Sequence, residues 1–394
     1  MIIKNSMEIT EVTDILSIKE FLKLPVRLYK NDPNWIRPMD HDIESVFDPK
    51  QNKLFRHGEC TRWILKDKDG ITIGRVAAFI NKKTVNKDND QPTGGMGFFE
   101  CINDKDAAFT LFDQCKKWLQ DRGVEAMDGP INFGARDRWW GLLVDGFAEP
   151  NYCVPYNPPY YIELFEAYGF KLYFKQFTFS RKVKAPLDVK FQEKAERIKR
   201  DPNYEFRHIE KKHLAKYAED FRYVYNKAWA KHLGVREMHK EQALNIMKQL
   251  KPILDERIIW FGYYNNEPIA FYINLPELNQ IFKHLNGKLD LIGKLKFLWY
   301  QKFTPVKKMF GVSFGVIPEF QRKGVEGALV ISVTSFVWTK NCPYEDLEMN
   351  WIGDFNPKMI HVCESIGGKV SKTHVTYRKL FDETKEFKRM PIMR

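Results

Sequence analysis

What the 394-residue chain lacks narrows its chemistry first. Its six cysteines, at 60, 101, 115, 153, 342 and 363, include no Cys-x-x-Cys pair and no zinc-like spacing with the nine histidines. They read as reduced thiols of a cytoplasmic protein, with no metal expected. No run of about twenty apolar residues is free of charge, so no spanning helix is expected. The opening MIIKNSMEITEVTD has no apolar stretch of signal-peptide length. Acidic residues are in deficit, 51 against 63 Lys and Arg, giving +12 and a pI near 9.1. An anionic partner follows: nucleic acid, acidic lipid headgroups or a phosphorylated cofactor. The chain is rich in apolar residues (44%) and aromatics (14%), enough for a large core, and its length suits two domains of similar size.

The two halves repeat each other. NPPYYIELFEAYGFKLYFKQFTFSRK ends the first and NPKMIHVCESIGGKVSKTHVTYRKL ends the second, with Gly169 and Gly367 198 positions apart. Each segment reads as a short helix, a glycine stop and a β-rich strand. Hairpins around Asp69-Gly70 and Asn265-Asn266 also correspond. After each hairpin the pattern predicts a strand (Met96–Cys101; Met309–Val316), a long helix (Asp104–Arg122; Val325–Thr339) and a strand (Val124–Asp128; Tyr344–Trp351). The expected class is therefore α+β, a mixed sheet flanked by helices in each half. Pro186, Pro202 and a charged helical stretch mark the link, so the halves are drawn as 1–185 and 200–394.

The segment KMFGVSFGVIPEFQRKGVEGALVISVTSF is the most specific. Alternation puts Gly311, Ser313 and Gly315 on one strand face, almost bare backbone, against which a ligand or another backbone is expected to lie. The loop Gln321–Gly324 then opens an amphipathic helix. Free amides there, with Arg322 and Lys323, suit a phosphate or pyrophosphate; an ordinary strand and helix with a solvated basic loop is the alternative.

These residues carry a resemblance. PEFQRKGVEGAL, Pro318 to Leu329, resembles motif A of the GNAT acyltransferase superfamily, which cradles the pyrophosphate of coenzyme A; Gln321 and Gly324 match. Glu326 stands where the family has a small residue, with Gly327 one position later. NPKMIHVCESIGG resembles motif B, with Asn356 at its head and Cys363 where many members have Tyr. The first half resembles motif B in NPPYYIELFEAYGF, with Phe165 at the Tyr place, but has Asp104 and Asp106 where motif A should hold phosphate. The resemblance implies a tandem GNAT protein whose second half alone binds coenzyme A or acyl-CoA as substrate, through Gly315, Val316, Gln321, Arg322, Lys323, Gly324, Val325, Gly327 and Asn356. GRVAAFIN, DGPINF and MNWIGDFNPKMI further resemble a bacterial subfamily of tandem proteins similar to N-acyltransferases proposed to join long acyl chains to sphingoid bases.

The implied chemistry, attack of an amine on a thioester, needs a proton acceptor, a proton donor for the thiolate and an oxyanion donor. Alternation on Tyr344–Trp351 sets Asp346, Glu348 and Asn350 on one face. Glu348 is the candidate base and Asn350 the amine-orienting neighbour, a solvated polar face being the alternative. Cys363 is either a weak proton donor near the sulfur or a small core residue. In the long loop Ile131–Phe147, Asp137, Arg138, Trp139 and Trp140 line an acceptor pocket or pack into an interface, and Tyr156 faces the same cleft or starts a helix.

Three functions fit: an acyl-CoA-dependent N-acyltransferase acting on a small or lipid amine, an aminoacyl-tRNA-dependent transferase, or a non-catalytic acyl- or lipid-binding module. Nucleic acid enters only as tRNA under the second. Residues 278–308 carry seven lysines against Asp290 alone. With Leu291, Ile292, Leu295, Leu298, Trp299 and Phe303 on one helical face, they read as peripheral to an anionic inner membrane face, or as a helix covering the sheet with its lysines in water.

Overall fold

The computed structural model describes residues 7–87, 89–229 and 237–393; the first six residues of the opening stretch lie outside them. The first half runs β1 (Glu8–Glu11), α1 (Ile15–Leu28), α2 (Asp40–Phe47), β2 (Gly58–Lys66), β3 (Thr72–Asn81), β4 (Thr93–Cys101), α3 (Lys105–Gln120), β5 (Ala126–Gly129), β6 (Leu142–Asp145), α4 (Tyr161–Ala167) and β7 (Lys171–Lys182). The second follows with α5 (Val189–Arg200), β8 (Tyr204–His208), α6 (Leu214–Trp229), α7 (Lys240–Leu250), β9 (Ile259–Tyr264), β10 (Glu267–Pro276), α8 (Asn279–Phe282) and α9 (Leu291–Phe303). It closes with β11 (Lys308–Val316), α10 (Val325–Val337), β12 (Asp346–Gly353), α11 (Pro357–Ser365) and β13 (Lys369–Leu380). The α+β class read from the repeats holds. The long loop Ile131–Phe147 differs from expectation in one respect: its end forms β6, which pairs with β13.

One continuous sheet carries both halves, in the order β1-β2-β3-β4-β5-β13-β7-β12-β11-β10-β9-β8. The last strands are exchanged. β13 of the second half lies between β5 and β7 of the first, and β7 lies between β13 and β12 of the second. In the antiparallel β7–β13 pair, Thr178 faces Lys372 and Phe174 faces Thr376. Shifting each residue by the 198-position repeat turns one pair into the other, so an approximate two-fold axis passes between these strands. Their neighbours bury polar side chains that must then be paired. Thr376 Oγ1 donates to Gln176 Oε1 at 2.9 Å, Gln176 Nε2 donates to Trp140 O at 3.1 Å, and His374 Nε2 lies 2.9 Å from Pro155 O.

Each half has its own apolar core: α3 and α4 pack on β2–β4 through Phe99, Leu111, Phe112 and Phe165, and α6 and α10 pack on β9–β11 through Phe221, Phe261, Phe271 and Leu329. Among the described residues no helix is long and apolar enough to cross a membrane.

Candidate active site

Parallel pairing of β11 and β12 runs only from Lys308–Asp346 to Gly311–Met349. β12 then shifts register between Met349 and Ile352 and follows β7, so the two strands part and Val312–Val316 leave β12. The loop Gln321–Gly324 sits at the end of this gap. Arg322 (φ 64°) and Gly324 (φ 98°) are both left-handed, winding the chain tightly into α10. Gln321 Nε2 ties the loop to the strand end by donating to Val316 O at 3.0 Å. Arg322 and Lys323 are exposed.

The small residues here have packing partners in the protein itself. A Cβ on Gly315 would press on the Phe271 ring and one on Gly311 on Met349, so neighbouring side chains cover the face expected to await a ligand. A Cβ on Gly324 would lie 3.2 Å from Lys194 Cγ, and one on Gly327 3.3 Å from Ala195 Cβ, because α5 rests on this loop. Glu326 Oε1 accepts the Arg322 amide at 3.3 Å, one of the donors a phosphate would use. Val325 and Val316 are buried. Asn356 caps α11, its side chain accepting from Met359 N at 3.2 Å.

A buried charged cluster stands at the base of the gap, where the halves meet. Glu348 receives Lys372 Nζ at 2.9 and 3.1 Å and Lys308 Nζ at 3.2 Å. Burial would raise its carboxyl, but the two lysines outweigh burial and hold it below its ordinary value. Lys372 carries the desolvation cost: burial pulls its ammonium down in spite of Glu348. Such a carboxylate is a weak proton acceptor, which argues against the base role read from alternation. Glu277, which that alternation did not single out, is the opposite case. It is buried, its Oε1 accepts Tyr152 N (2.8 Å) and Asn279 N (3.0 Å), and burial raises its carboxyl to about 7 in spite of those donors and Lys308. It joins the first-half loop holding Tyr152 to the second half.

Asn350 Oδ1 accepts Asn151 Nδ2 at 2.8 Å, and Trp351 Nε1 donates to Arg136 O at 2.6 Å. The structure thus brings Asn350 and Trp351 beside the first-half loops. Cys363 is buried, and burial keeps its thiol protonated, pushed up to about 12.

In the first half β4 and β5 part in the same way after Gly95–Asp128, but the chain closes the opening itself. Ile131 N donates to Met96 O at 2.7 Å, and the Ile131 carbonyl crosses Gly97 so closely that no Cβ fits. Asp104 caps α3, accepting Ala107 N at 2.8 Å. The carboxylate therefore sits where a donor phosphate would go. What remains is a cavity of about 100 Å³ lined by Arg75, Phe98, Glu100, Trp139, Tyr152 and Tyr156, with Asn279 reaching in from the second half. Glu100 Oε2 accepts Tyr29 Oη (2.7 Å) and Tyr161 Oη (2.8 Å), Arg75 Nη2 lies 3.5 Å from Oε1, and Arg75 Nε has no partner among the described residues. Burial raises the Glu100 carboxyl. Trp139 and Tyr156 therefore share one cavity; Asp137 is exposed, Arg138 places its guanidinium 5.8 Å from the Tyr152 ring, and the buried Trp140 Nε1 has no partner among the described residues.

No protein-family profile matches this chain. Over the full length of a tandem GNAT protein from the clavulanic acid biosynthesis pathway, 96% of the chain superposes with a TM-score of 0.53 at 9% identity. The fold is the tandem GNAT fold. The same share superposes, with a TM-score of 0.55 and 11% identity, on a GCN5-related glucosamine N-acetyltransferase region within a fungal multi-domain GH3 β-N-acetylglucosaminidase, spanning 38% of that protein. In sequence the chain is similar to the bacterial ceramide synthase of Caulobacter vibrioides (strain NA1000 / CB15N), 28% identical over 92% of this chain and 94% of the relative. It is similar also to protein YghO of Escherichia coli (strain K12), 27% identical over 92% of each.

Proposed function

We propose that this tandem GNAT protein is an N-acyltransferase that moves an acyl group from a coenzyme A thioester to an amine. In this reading the second half, 200–394, holds the donor and the first half, 1–185, shapes the acceptor site. The observation that supports it most is the gap between β11 and β12, open at the end where a basic, left-handed loop enters α10. Arg322, Lys323 and the first amides of α10 suit the donor's pyrophosphate; the Glu326 carboxylate stands against it, but its bond to the Arg322 amide is single and long, and a phosphate oxygen displaces it.

The amine nitrogen attacks the thioester carbonyl, the tetrahedral oxyanion collapses, and the carbon–sulfur bond breaks to release the thiolate. Glu277, the buried carboxyl at the junction, takes the ammonium proton and returns it to the departing thiolate; Asn350 orients the amine; Cys363, its thiol pushed up to about 12 by burial, is too weak an acid to protonate that thiolate. Glu348 neutralises Lys308 and Lys372 rather than accepting a proton. The similarity to a protein named bacterial ceramide synthase supports a long-chain or lipid amine as acceptor.

Calorimetry with coenzyme A tests the donor site. Arg322→Glu is expected to weaken binding about tenfold or more by reversing a charge at the pyrophosphate. Glu326→Ala is expected to tighten binding severalfold, and Asp104→Ala to leave it unchanged. Equal affinity in all three variants would remove this assignment. Mass spectrometry of copurifying amines and lipids names the acceptor. Coenzyme A binding without turnover on any amine would favour the non-catalytic carrier, and salt-sensitive tRNA binding the aminoacyl-tRNA transferase.

A further inference from the structure

We infer that α9 is a docking surface for an anionic lipid bilayer and lies in the interface plane. The helix touches its own protein along one narrow side. Gly293 packs against the Lys288 carbonyl, where a Cβ would not fit, Phe297 lies 5.8 Å from the Phe282 ring, and Tyr300 stacks on His284 at 4.2 Å. At 3.6 residues per turn these three positions share one side of the helix.

The opposite side is apolar and uncovered. Leu291, Ile292, Leu295, Leu298, Trp299 and Phe303 are each 56 to 75% exposed, and the helical spacing gathers them into an arc of roughly 140°. Isolated exposed apolar residues are ordinary, but six large ones in a single helix form a patch with a partner. The sheet-covering alternative does not hold for this face, because its six side chains are exposed and the contacts of the helix run through its other side to Phe282 and His284.

Charge decides which partner. Lys294 and Lys296 flank the arc on its two shoulders, Lys302 lies within it, and Lys288 precedes it; all four are exposed, whereas Lys307 beyond the far end pairs with Glu345 at 2.8 Å. The one acidic residue of the helix and its start, Asp290, is spent on the N-cap, accepting Gly293 N at 2.8 Å. An apolar arc bordered by lysines matches the headgroup boundary of an anionic membrane: the rings and leucines enter the acyl region while the lysine stems reach outward to phosphates. A second copy of this chain is a poorer occupant, because a symmetric contact through α9 would bring two lysine-rich rims together.

Flotation of the full chain with phosphatidylcholine vesicles, with and without phosphatidylglycerol, tests this surface, and it reads binding alone, apart from any acyl transfer. The chain is expected to float with phosphatidylglycerol vesicles at low salt and much less with phosphatidylcholine alone. Leu295→Ser/Trp299→Ser and Lys294→Glu/Lys296→Glu are each expected to lower the bound fraction about tenfold, without change in thermal unfolding, since these side chains are exposed. Lys50→Glu/Lys68→Glu, the same charge change in the first half, is expected to leave flotation intact.

Three outcomes would overturn the inference. One is no flotation at low salt. Another is undiminished flotation of the Leu295→Ser/Trp299→Ser variant, which would show nonspecific adsorption of a basic protein. The third is a dimer that dissociates in that variant without any vesicle binding, which would assign the face to a second copy.

Discussion

Lys372→Met is expected to destabilise the protein by about 3 kcal/mol or more, the range for removing one partner of a buried ion pair. Its ammonium and the Glu348 carboxylate are both buried, with Lys308 as the second cation. Without Lys372, Glu348 keeps one partner and loses two charge-assisted bonds at a side chain only 9% exposed. Glu348→Gln is expected to cost a similar amount, because it leaves the buried Lys372 ammonium and the half-buried Lys308 facing a neutral amide. The double variant should be less damaging than the sum of the single changes, since it removes both charges of one pair.

Acid adds an independent readout. The folded carboxyl of Glu348 lies below its ordinary 4.5, so its stabilisation is fully present above the unfolded value. It is lost as the pH falls through the lower folded value. Glu348→Gln should therefore make stability less steeply dependent on pH below 4.5. Urea titrations across pH check both points. A Lys372→Met cost within about 0.5 kcal/mol, the scale of surface substitutions, would mean that the cluster is hydrated in solution and does not order the junction.

Glu277→Gln is expected to act in the opposite sense on stability and to impair turnover. The Glu277 carboxyl is raised to about 7 from an ordinary 4.5. Between these values the folded state holds a proton that the unfolded chain has shed, so stability falls as pH rises through this window. The full penalty above pH 7 is on the order of 3 kcal/mol. Glutamine keeps an oxygen at Oε1 for the Tyr152 and Asn279 amides and cannot ionise. The variant should be more stable than the parent at pH 8 and flat across this range.

If Glu277 takes the ammonium proton, the same substitution lowers turnover by about 10²–10⁴-fold, the usual loss with a general base, and abolishes an acid limb near pH 7. A flattened stability profile with intact turnover would make Glu277 a structural carboxyl of the junction. An unchanged stability profile would show that burial does not raise it.

Several features were legible in the linear pattern because they depend on local spacing. The 198-residue repeat, the glycine stops, the Asn265-Asn266 turn and the alternation of β12 rest on backbone preferences and periodicity, which neighbouring residues dictate. The outward face of α9 was legible for the same reason, since six apolar residues on one arc follow from helical spacing alone.

Tertiary structure alone decided the rest. Exchange of β7 and β13 cannot be read from either strand, because both would pair equally well within their own half; only the common sheet shows which partner each takes. The glycines of β11 and α10 looked like room for a ligand, but Phe271, Met349 and helix α5 fill much of that space. Alternation placed Glu348 on a polar face without showing Lys308 and Lys372, brought in from other strands. No local pattern marks Glu277, a glutamate after a proline at a strand end. Its raised carboxyl comes from burial against a loop more than a hundred residues away in the chain, and desolvation is a property of the assembled junction, not of any local stretch of sequence.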